Sequence, residues 1–368
     1  MAENVKNEFG EEESKVSTES IKCPSCGSNM KFDPESQMLY CEHCGTKSSF
    51  NQELKASELD LLSGFNADDN QWKKEDVTVF RCDNCGAKVV LSASETAKSC
   101  PFCGTAHVEK IDELAGIKPN GVVPFLLTSD KAVERSKTWA KKRLFAPSKF
   151  KKSLNAENVK GVYSPCFTFD SKTTSYYRGR IGKNYTRTVG SGKDQHTETY
   201  TVWKDISGTY YDNFDDVLIS AGNKISQKTF DKISPYDTNE SKGYQENYLL
   251  GFMAYHYDKS IEDCWGLAKD KMDAAIRKGI LSQYSYDEVD YLNVSTTHEA
   301  VTYKYVMLPV YVGNFSYKKK VYNFYVNGVS GKTTGKTPVS FWRVLAAVGL
   351  GLVVLAGIGL LVYHLVNS

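Results

Sequence analysis

The sequence predicts two small cysteine-rich β units, then an α+β domain with an antiparallel sheet, then one C-terminal transmembrane helix. Three observations predict this order. Eight of the ten cysteines lie in four Cys-x-x-Cys pairs before residue 104. Residues 123–340 contain segments rich in tyrosine, valine and threonine, together with two helix patterns. Residues 344–363 are 20 consecutive residues without a charge.

The charge is unevenly distributed along the chain. The 368 residues include 46 Lys and Arg and 44 Asp and Glu, a net charge of +2, which excludes a strongly basic, histone-like nucleic-acid binder. Residues 1–108 carry a net charge of −7, and residues 109–368 carry +9. Residues 1–20 are acidic, lack the apolar stretch of a signal peptide and are expected to be disordered. We therefore expect the cysteine thiols to lie in a reducing cytoplasm.

The four cysteine pairs form a repeat. In each half, fourteen residues separate two Cys-x-x-Cys pairs, the second half follows at an offset of 59 residues, and a glycine follows every pair. Two thiolates three residues apart bind one Zn²⁺ at a tight turn, and the next position often requires a positive φ, which glycine adopts cheaply. The pattern predicts two zinc ribbons, the first at residues 21–50 and the second at residues 80–108, each with a hairpin between its pairs. The predicted ligands of two structural Zn²⁺ ions are Cys23, Cys26, Cys41, Cys44, Cys82, Cys85, Cys100 and Cys103.

Four cysteines per site make a closed tetrahedral centre, which is typical of structural rather than catalytic zinc. Sequential sites are favoured over a cross-braced arrangement, in which the first and third pairs share a metal, because a hairpin lies between the pairs of each half. His43 or His107 could replace a thiol, although a solvent-facing position is expected for both. Cys166 and Cys264 are expected to be buried free thiols.

Zinc ribbons often bind nucleic acid, so the charge of this region is informative. Residues 21–108 contain 9 Lys and Arg and 12 Asp and Glu, and each four-cysteine zinc centre adds a formal charge of about −2. Phosphate binding requires a stripe of positive charge, and the sequence shows none here. We therefore expect a structural or protein-docking role, and we do not expect nucleic-acid binding.

The apolar run near the C-terminus is long enough to cross a membrane. At 1.5 Å per residue, residues 344–363 form a helix of about 30 Å, the thickness of the hydrocarbon core. Trp342 and Tyr363 lie at its ends, as in the aromatic belts of membrane helices. Basic residues precede the run, so the positive-inside rule places the bulk of the chain in the cytoplasm and the C-terminus outside. These residues are Lys332, Lys336 and Arg343. The sequence predicts a tail-anchored, single-pass protein of the cell membrane.

Small residues of this run fall on one face of the predicted helix. Such a face allows helices to approach closely, so lateral homo- or hetero-association is a further expectation, although a strict G-x-x-x-G is absent. The residues are Ala346, Gly349, Ala356 and Gly357.

Two linkers and one domain, besides the second ribbon, occupy the chain between the first ribbon and the apolar run. Residues 51–79 are predicted to be an acidic linker with a short helix over 53–62, and residues 109–122 to be a second linker. The α+β domain with its antiparallel sheet is predicted for residues 123–340.

The domain is predicted to contain two helices and five strands. The first helix is capped by Ser129 or Asp130 and ends at Pro147. The second runs from Ser260 to Gly279 and begins with a capping box that includes Asp263. The predicted strands are 162–169, 173–180, 199–211, 302–315 and 321–326. The segment 163–170 resembles 308–314, which indicates a weak internal duplication.

Basic residues cluster at the end of the first helix and just beyond it. A solvated basic face is one interpretation. In a membrane-anchored chain the patch could instead lie on anionic lipid, where each charge contributes about 1 kcal/mol. The cluster consists of Lys141, Lys142, Arg143, Lys149, Lys151 and Lys152.

The sequence contains no compelling catalytic motif. The two Gly-Lys-Thr segments at 331–333 and 335–337 lack the earlier glycine that a P-loop requires, and they are predicted to be turns. His298-Glu299 lacks the second histidine of a zinc protease. Asp215-Asp216 is predicted to be a strand-turn rather than a pair of catalytic carboxylates. We therefore do not expect an enzyme.

The cysteine repeat and the terminal apolar run, together with two further segments, resemble one family. The segments are Trp203–Gly208 with Phe214–Val217, and Tyr322–Gly328 with Gly331-Lys332. Together with the double Cys-x-x-Cys-Gly repeat and the terminal run, they are similar to bacterial TFIIB-type zinc-ribbon, tail-anchored membrane proteins of the YdjG type, which are often labelled primosomal helicases. The resemblance covers nearly the whole chain. It implies a cytoplasm-facing membrane adaptor with SPFH-domain or phage-shock-like proteins as partners. It implies no catalytic residues, and helicase motifs are absent.

The expected function is that of a non-enzymatic, membrane-anchored zinc-ribbon adaptor. Its cytoplasmic head would be presented to cytoplasmic and membrane protein partners in envelope-stress or membrane-organisation complexes, and its helix to the lipid bilayer. The alternative is a membrane-tethered nucleic-acid-binding or regulatory protein.

Overall fold

The computed structural model describes residues 21–65, 77–92, 99–111, 117–155, 158–318 and 320–367. The predicted disordered N-terminus, residues 1–20, and parts of both predicted linkers lie outside the described residues. The described residues have the predicted order of two small cysteine-rich units, a larger sheet domain and a C-terminal apolar helix.

Within the described residues, the strands form two sheets. The first ribbon holds a separate three-stranded antiparallel sheet, and twelve strands form one large mixed sheet. The hairpin predicted in the first ribbon is present, because the Asp33 carboxylate accepts hydrogen bonds from the N–H groups of Glu35 and Ser36 and closes the turn. The small sheet contains β1 (Lys31–Asp33), β2 (Met38–Tyr40) and β3 (Lys47–Ser48). The large sheet contains β4 (Leu59–Asp60), β5 (Val77–Cys82), β6 (Lys88–Ser92), β7 (Val108–Ile111), β8 (Gly121–Val122), β9 (Val159–Val189), β10 (His196–Ser220), β11 (Lys242–Gly243), β12 (Met253–Tyr255), β13 (Glu288–Tyr317), β14 (Lys320–Asn327) and β15 (Thr333–Gly335).

Three long antiparallel strands form the centre of the large sheet. β9 pairs with β13 along one edge and with β10 along the other. The sequence predicts two strands at 162–169 and 173–180, where the structure has one strand of 31 residues. A neighbour on each side satisfies the N–H and C=O groups of β9 over most of its length, so the polar residues between the predicted strands do not end it. β10 and β13 extend the predicted strands 199–211 and 302–315 in the same way.

The far halves of these strands form a three-stranded arm, residues 171–189, 196–214 and 288–299. One face of the arm packs on a long helix through a small apolar cluster that includes Tyr177 and Ile276. The opposite face exposes large side chains such as Tyr176 and Tyr211.

The two segments predicted to be duplicates lie side by side. Pro165 is opposite Met307, and Tyr163 is opposite Pro309, in the β9–β13 register. Each segment is followed by a strand that returns antiparallel to it, β10 after β9 and β14 after β13. An internal duplication would give this arrangement, and the duplication itself stays a prediction.

Six α-helices are described. They are α1 (Leu61–Phe65), α2 (Ser129–Lys141), α3 (Ser148–Lys152), α4 (Gln227–Ile233), α5 (Ile261–Ser282) and α6 (Phe341–Asn367). The capping box of α5 is confirmed. The predicted end of α5 at Gly279 is wrong, because this glycine stays helical and its missing side chain lets Tyr210 of β10 pack against the helix. The predicted cap of α2 is also wrong by one residue, since the hydroxyl of Thr128 accepts the first N–H bond.

The structure differs from the prediction for both linkers. The helix predicted over 53–62 is wrong: β4 pairs with β13, and α1 begins only at Leu61, where the Asp60 carboxylate accepts the N–H of Leu62. In the second linker, β7 and β8 are strands of the large sheet. The second ribbon also belongs to this sheet, because β6 pairs with β12, which pairs with β9.

The C-terminal helix is the described helix that meets the length and composition of a membrane span. The qualifying segment, Phe341–Leu365, has 25 residues, which correspond to about 38 Å of helix, and its apolar stretch is not buried by the protein. It includes the predicted run 344–363. Gly349 and Gly357 have no neighbouring atoms where a side chain would lie, so the small-residue face is uncovered.

Candidate metal centres

The eight predicted cysteines form two groups of four thiols. The ligand atoms of each group all lie within 4.8 Å of one another. The first group is Cys23, Cys26, Cys41 and Cys44, and the second is Cys82, Cys85, Cys100 and Cys103. The sequential arrangement is therefore confirmed, and the cross-braced alternative is wrong.

The spacing of the sulfur atoms fits a four-coordinate metal ion. In the first group, the Cys23–Cys44 and Cys26–Cys41 Sγ distances are 3.4 and 3.5 Å. In the second group, both corresponding distances are 3.6 Å. A tetrahedral ion with metal–sulfur bonds of 2.3 Å requires about 3.8 Å between sulfurs. Each group can therefore hold one metal ion with little movement.

All four Cys-x-x-Cys-Gly turns have the same backbone geometry. In each, the glycine N–H donates a hydrogen bond to the carbonyl of the first cysteine, at 2.7–2.9 Å. The N–H of that cysteine donates to the carbonyl five residues later, at 2.7–2.9 Å. The glycine φ angles, 70–76°, confirm the predicted left-handed positions. These glycines are Gly27, Gly45, Gly86 and Gly104.

The thiols of the first group differ in acidity. Burial raises the pKa of Cys23, but hydrogen bonds from the backbone of Ser25 and Cys26 outweigh it and lower the pKa to about 6. The N–H of Cys44 lowers the pKa of Cys41, yet burial and the neighbouring thiols raise it to about 11. Four thiolates at this spacing repel one another, so only a bound cation allows all of them to ionise.

The second group has the same conflict in a more buried setting. Burial raises the pKa of Cys103, but the backbone of Thr105 and the side chain of Asn84 lower it to about 7. Burial raises the pKa of Cys85, and it raises that of Cys100 strongly. The donor set of both groups therefore suits a thiophilic divalent cation.

The two groups differ in what surrounds them. In the first ribbon, the residues between the cysteines of each pair are exposed, including Glu42 and His43. In the second ribbon, Pro101 and Phe102 are buried against the domain, and the Phe102 ring lies 5.0 Å from that of Tyr255. The side-chain amide of Asn314 also donates to the Pro101 carbonyl at 3.4 Å. One turn of the second metal site is therefore packed on the domain, whereas both turns of the first are exposed to solvent.

The remaining predicted cysteines and histidines lie outside both groups. His43 and His107 are exposed and belong to neither group, as expected. Cys166 and Cys264 are buried free thiols, also as expected, and burial raises the pKa of both, that of Cys264 to about 12. Gly331 closes a turn after β14 by donating its N–H to Asn327 O, which confirms the turn predicted at the first Gly-Lys-Thr segment. The turn predicted at the second segment is wrong at Gly335, because this residue lies in β15 and pairs with β14.

The structure also brings together a cluster of charged side chains that the sequence analysis did not predict. Lys304 is only 3% exposed, and its ammonium lies 2.8 Å from an Asp216 carboxylate oxygen and 3.4 Å from one of Glu58. The Thr302 hydroxyl lies 3.1 Å from carboxylate oxygens of both Glu58 and Asp170. Three carboxylates therefore surround one buried cation.

Two irregularities in the strands on either side of β9 create this cluster. β10 has a register shift at Asp216 and β13 has one at Ala300, and these two residues have φ angles of 51° and 50°. Between them, the Asp170 carboxylate of β9 accepts the N–H of Asp216 at 2.6 Å. The predicted strand-turn at Asp215-Asp216 is therefore a bulge inside a strand, and the bulge turns Asp216 toward Lys304.

An open cavity of about 540 Å³ lies beside Asp216. At its edge, Lys271 and Asp231 form an ion pair at 3.2 Å. The other lining residues are mainly apolar and include Phe214, Val217, Leu218, Pro235, Tyr236, Met272 and Ala275.

The carboxyl group of Asp170 gives the cluster a pH dependence. Burial raises the pKa of Asp170, and the charges of Glu58 and Asp216 raise it further, to about 6. In the unfolded chain the value is about 3.9. The folded state therefore favours the protonated form, so the ionised Asp170 destabilises the fold above pH 6, and this cost disappears below about pH 4.

We expect Asp170→Asn to stabilise the full chain by about 1 kcal/mol at pH 7, after allowance for solvent screening of this half-buried group. The gain should shrink as the pH falls from 6 to 4, and unfolding of both proteins at several pH values measures it. Asp215→Asn, at the exposed neighbour, is the control, and a gain independent of pH would contradict the expectation. The metal sites cancel in the comparison because both proteins contain them.

The structure defines a class of protein with two four-cysteine sites and a candidate membrane span. The two sites lie on small β units, a larger sheet domain follows, and an exposed apolar helix ends the described chain. The uncharacterized protein YdjG of Bacillus subtilis (strain 168) is 31% identical over 329 residues, which are 89% of this chain and 92% of YdjG. The chain therefore belongs to the YdjG family, which confirms the predicted likeness to proteins of the YdjG type. No family model matches the chain, and no solved structure matches it.

Proposed function

We propose that both four-cysteine groups bind structural Zn²⁺ in TFIIB-type ribbons and that the chain is a non-enzymatic, membrane-anchored adaptor. The observation that carries this proposal is the closed donor set: four thiols within 4.8 Å of one another leave a tetrahedral ion no open position for a substrate. All-sulfur tetrahedral sites suit zinc. When bound, the ion would supply folding energy to each ribbon.

The proposed anchor is helix α6, in a tail-anchored, single-pass orientation. Its apolar side chains are exposed from Phe341 to Leu365, and a bilayer would cover them. Lys332, Lys336 and Arg343 precede the uncharged run, which supports a cytoplasmic location for the ribbons and the sheet domain.

The proposed docking head is the first ribbon. Its two cysteine turns are exposed, whereas a turn of the second ribbon is buried against the domain. Residues 1–108 carry a net charge of −7 and residues 109–368 carry +9, so anionic lipid would attract the remainder of the chain and leave the head free to recruit proteins. The role in envelope-stress or membrane-organisation complexes rests on the family resemblance.

Affinity purification of the full chain from detergent-solubilised membranes tests the adaptor function. We expect Glu42→Lys, on an exposed turn of the first ribbon, to lower recovery of a protein partner about tenfold, which corresponds to about 1.4 kcal/mol of docking free energy. Glu262→Lys, at an exposed position of α5, is the matched control. Equal recovery by the Glu42 variant would contradict the proposed head.

Two further experiments test the orientation and the nucleic-acid alternative. Protease added to intact cells should leave a tag at residue 1 uncut, and cleavage would contradict the cytoplasmic orientation.

One observation favours the nucleic-acid alternative: the outer face of the arm carries aromatic and arginine side chains together, with Arg180 over the Trp203 ring at 5.7 Å. Loss of the partner after nuclease treatment would favour a nucleic-acid-binding role over the adaptor.

A further inference from the structure

The loop between α2 and α3 is attached to the base of α6. The N–H of Ser340 donates to the Phe145 carbonyl at 2.8 Å. The Arg343 guanidinium donates to the Leu144 carbonyl at 3.1 Å and to the Ser148 hydroxyl at 2.8 Å. Because Arg343 immediately precedes the uncharged run, these contacts hold the loop where the helix would enter a membrane.

This loop and the helix ends beside it carry positive charge alone. Residues 141–152 contain six basic residues and no acidic residue. Five of the six are exposed, Lys151 is half-buried, and none forms an ion pair with a carboxylate within the described residues. The segment is fixed to the domain by Phe150, which is fully buried and packs on Trp139 and Phe324. The charges are therefore held on an ordered surface.

Two large apolar side chains lie within this basic surface and are exposed. Leu144 is 73% exposed and Phe145 is 43% exposed. Phe341 and Trp342, at the start of α6, are also exposed. They directly follow Ser340, whose N–H donates to the Phe145 carbonyl. Exposed leucine and aromatic side chains among lysines are typical of segments that lie in the membrane interface.

We propose that residues 141–152 form a binding surface for the headgroups of anionic lipids, with Leu144 and Phe145 inserted at the boundary of the acyl chains. This proposal rests on the proposed anchoring by α6. The occupant is the bilayer because the surface is tied to the base of α6 and combines positive charge with exposed apolar groups. Each lysine or arginine near an anionic surface favours binding about fivefold. The surface would fix the sheet domain against the membrane in one orientation.

A photoreactive side chain in the full chain tests the contact. The variant Phe145→benzoylphenylalanine is reconstituted in nanodiscs of equimolar phosphatidylglycerol and phosphatidylcholine, irradiated, and analysed for lipid adducts by mass spectrometry. The matched control is Tyr185→benzoylphenylalanine. Tyr185 is 47% exposed and lies near the far end of β9, about 85 Å from the start of that strand at Val159 if each residue adds about 3.3 Å. We expect lipid adducts at position 145 and none at 185, with phosphatidylglycerol favoured about fivefold.

Charge variants test the headgroup preference. Gln at four lysines of the surface should reduce the preference for phosphatidylglycerol among the adducts, whereas Gln at four exposed lysines elsewhere should leave the preference unchanged. The first set is Lys141, Lys142, Lys149 and Lys152, and the second is Lys204, Lys228, Lys232 and Lys278.

Three results would overturn the proposal. If the chain co-elutes with nanodiscs but forms no lipid adduct at position 145, the anchor stands and the surface does not touch the bilayer. If adducts form without a preference for phosphatidylglycerol, the surface does not recognise anionic headgroups. If the chain does not co-elute with nanodiscs at all, the anchoring by α6 fails, and the surface proposal fails with it.

Discussion

Cys82→Ser is expected to lower the free energy of unfolding of the whole sheet domain by about 5 kcal/mol or more, whereas Cys23→Ser is expected to loosen mainly the first ribbon. A structural zinc ion contributes about 10–16 kcal/mol of binding free energy, which becomes folding free energy where the site forms only in the folded chain. The two variants differ because the two sites have different neighbours.

The second site is continuous with the core of the domain. Cys82 and Cys100 belong to the same apolar cluster as Tyr255 and Val306. β5, which ends at Cys82, pairs with β6, and β6 continues through β12 to β9. Release of the second metal ion would therefore disturb strands at the centre of the sheet.

The first site lies on its own three-stranded sheet. Cys23 and Cys41 share an apolar cluster with Tyr163 and Tyr248 of the domain. The Phe32 ring lies 5.3 Å from that of Tyr248, and the Phe32 N–H donates to the Leu250 carbonyl at 2.9 Å. These are side-chain packing and single-bond links, because no described strand of this small sheet pairs with the large sheet. Amide hydrogen exchange distinguishes the two variants. We expect Cys82→Ser to lose protection in β9 and β13, and Cys23→Ser to keep it there. Equal protection of these strands in both variants would contradict the proposed difference.

Lys304→Met is expected to destabilise the domain by about 3–5 kcal/mol, because it leaves three carboxylates around an apolar group. Burial lowers the pKa of Lys304, but the carboxylates of Asp216, Glu58 and Asp170 outweigh this and raise it above its usual value. The ammonium is therefore charged in the folded protein, and its removal leaves buried negative charge without a partner.

A matched control and a double variant separate charge from packing. Lys271→Met breaks an exposed ion pair with Asp231 and should cost less than about 1 kcal/mol. Adding Asp216→Asn to Lys304→Met should restore part of the lost stability. Denaturant unfolding of the unaltered chain, of each single variant and of the double variant measures this coupling. If Lys304→Met costs no more than Lys271→Met, the cluster does not stabilise the bulges in β10 and β13.

The metal sites could be predicted from the sequence because their geometry is local. Each Cys-x-x-Cys-Gly turn is completed within six residues by its own backbone bonds, so spacing alone identified the ligands and the glycine angles. Pairing within each half followed from the hairpin predicted between the two turns, which is present in the first ribbon and whose turn in the second ribbon lies outside the described residues. The capping box of α5 could be predicted for the same reason, since Ser260 and Asp263 contact each other directly.

The carboxylate cluster could not be predicted because its members come from distant parts of the chain. Glu58, Asp170, Asp216 and Lys304 meet only through the register of β9, β10 and β13 and the bulges in two of these strands. The merging of two predicted strands into β9 has the same origin. Its length depends on partners more than 100 residues away along β13, which no local periodicity records.

Elemental analysis of the full chain, purified in detergent without added metal, tests the central claim most directly. We expect two zinc ions per chain, and one in each of the variants Cys23→Ser and Cys82→Ser. Serine at the exposed His43 should leave the content at two, because this side chain lies outside both groups. One zinc ion or none in the unaltered chain, or a variant that keeps both ions, would contradict the assignment of two closed structural zinc sites.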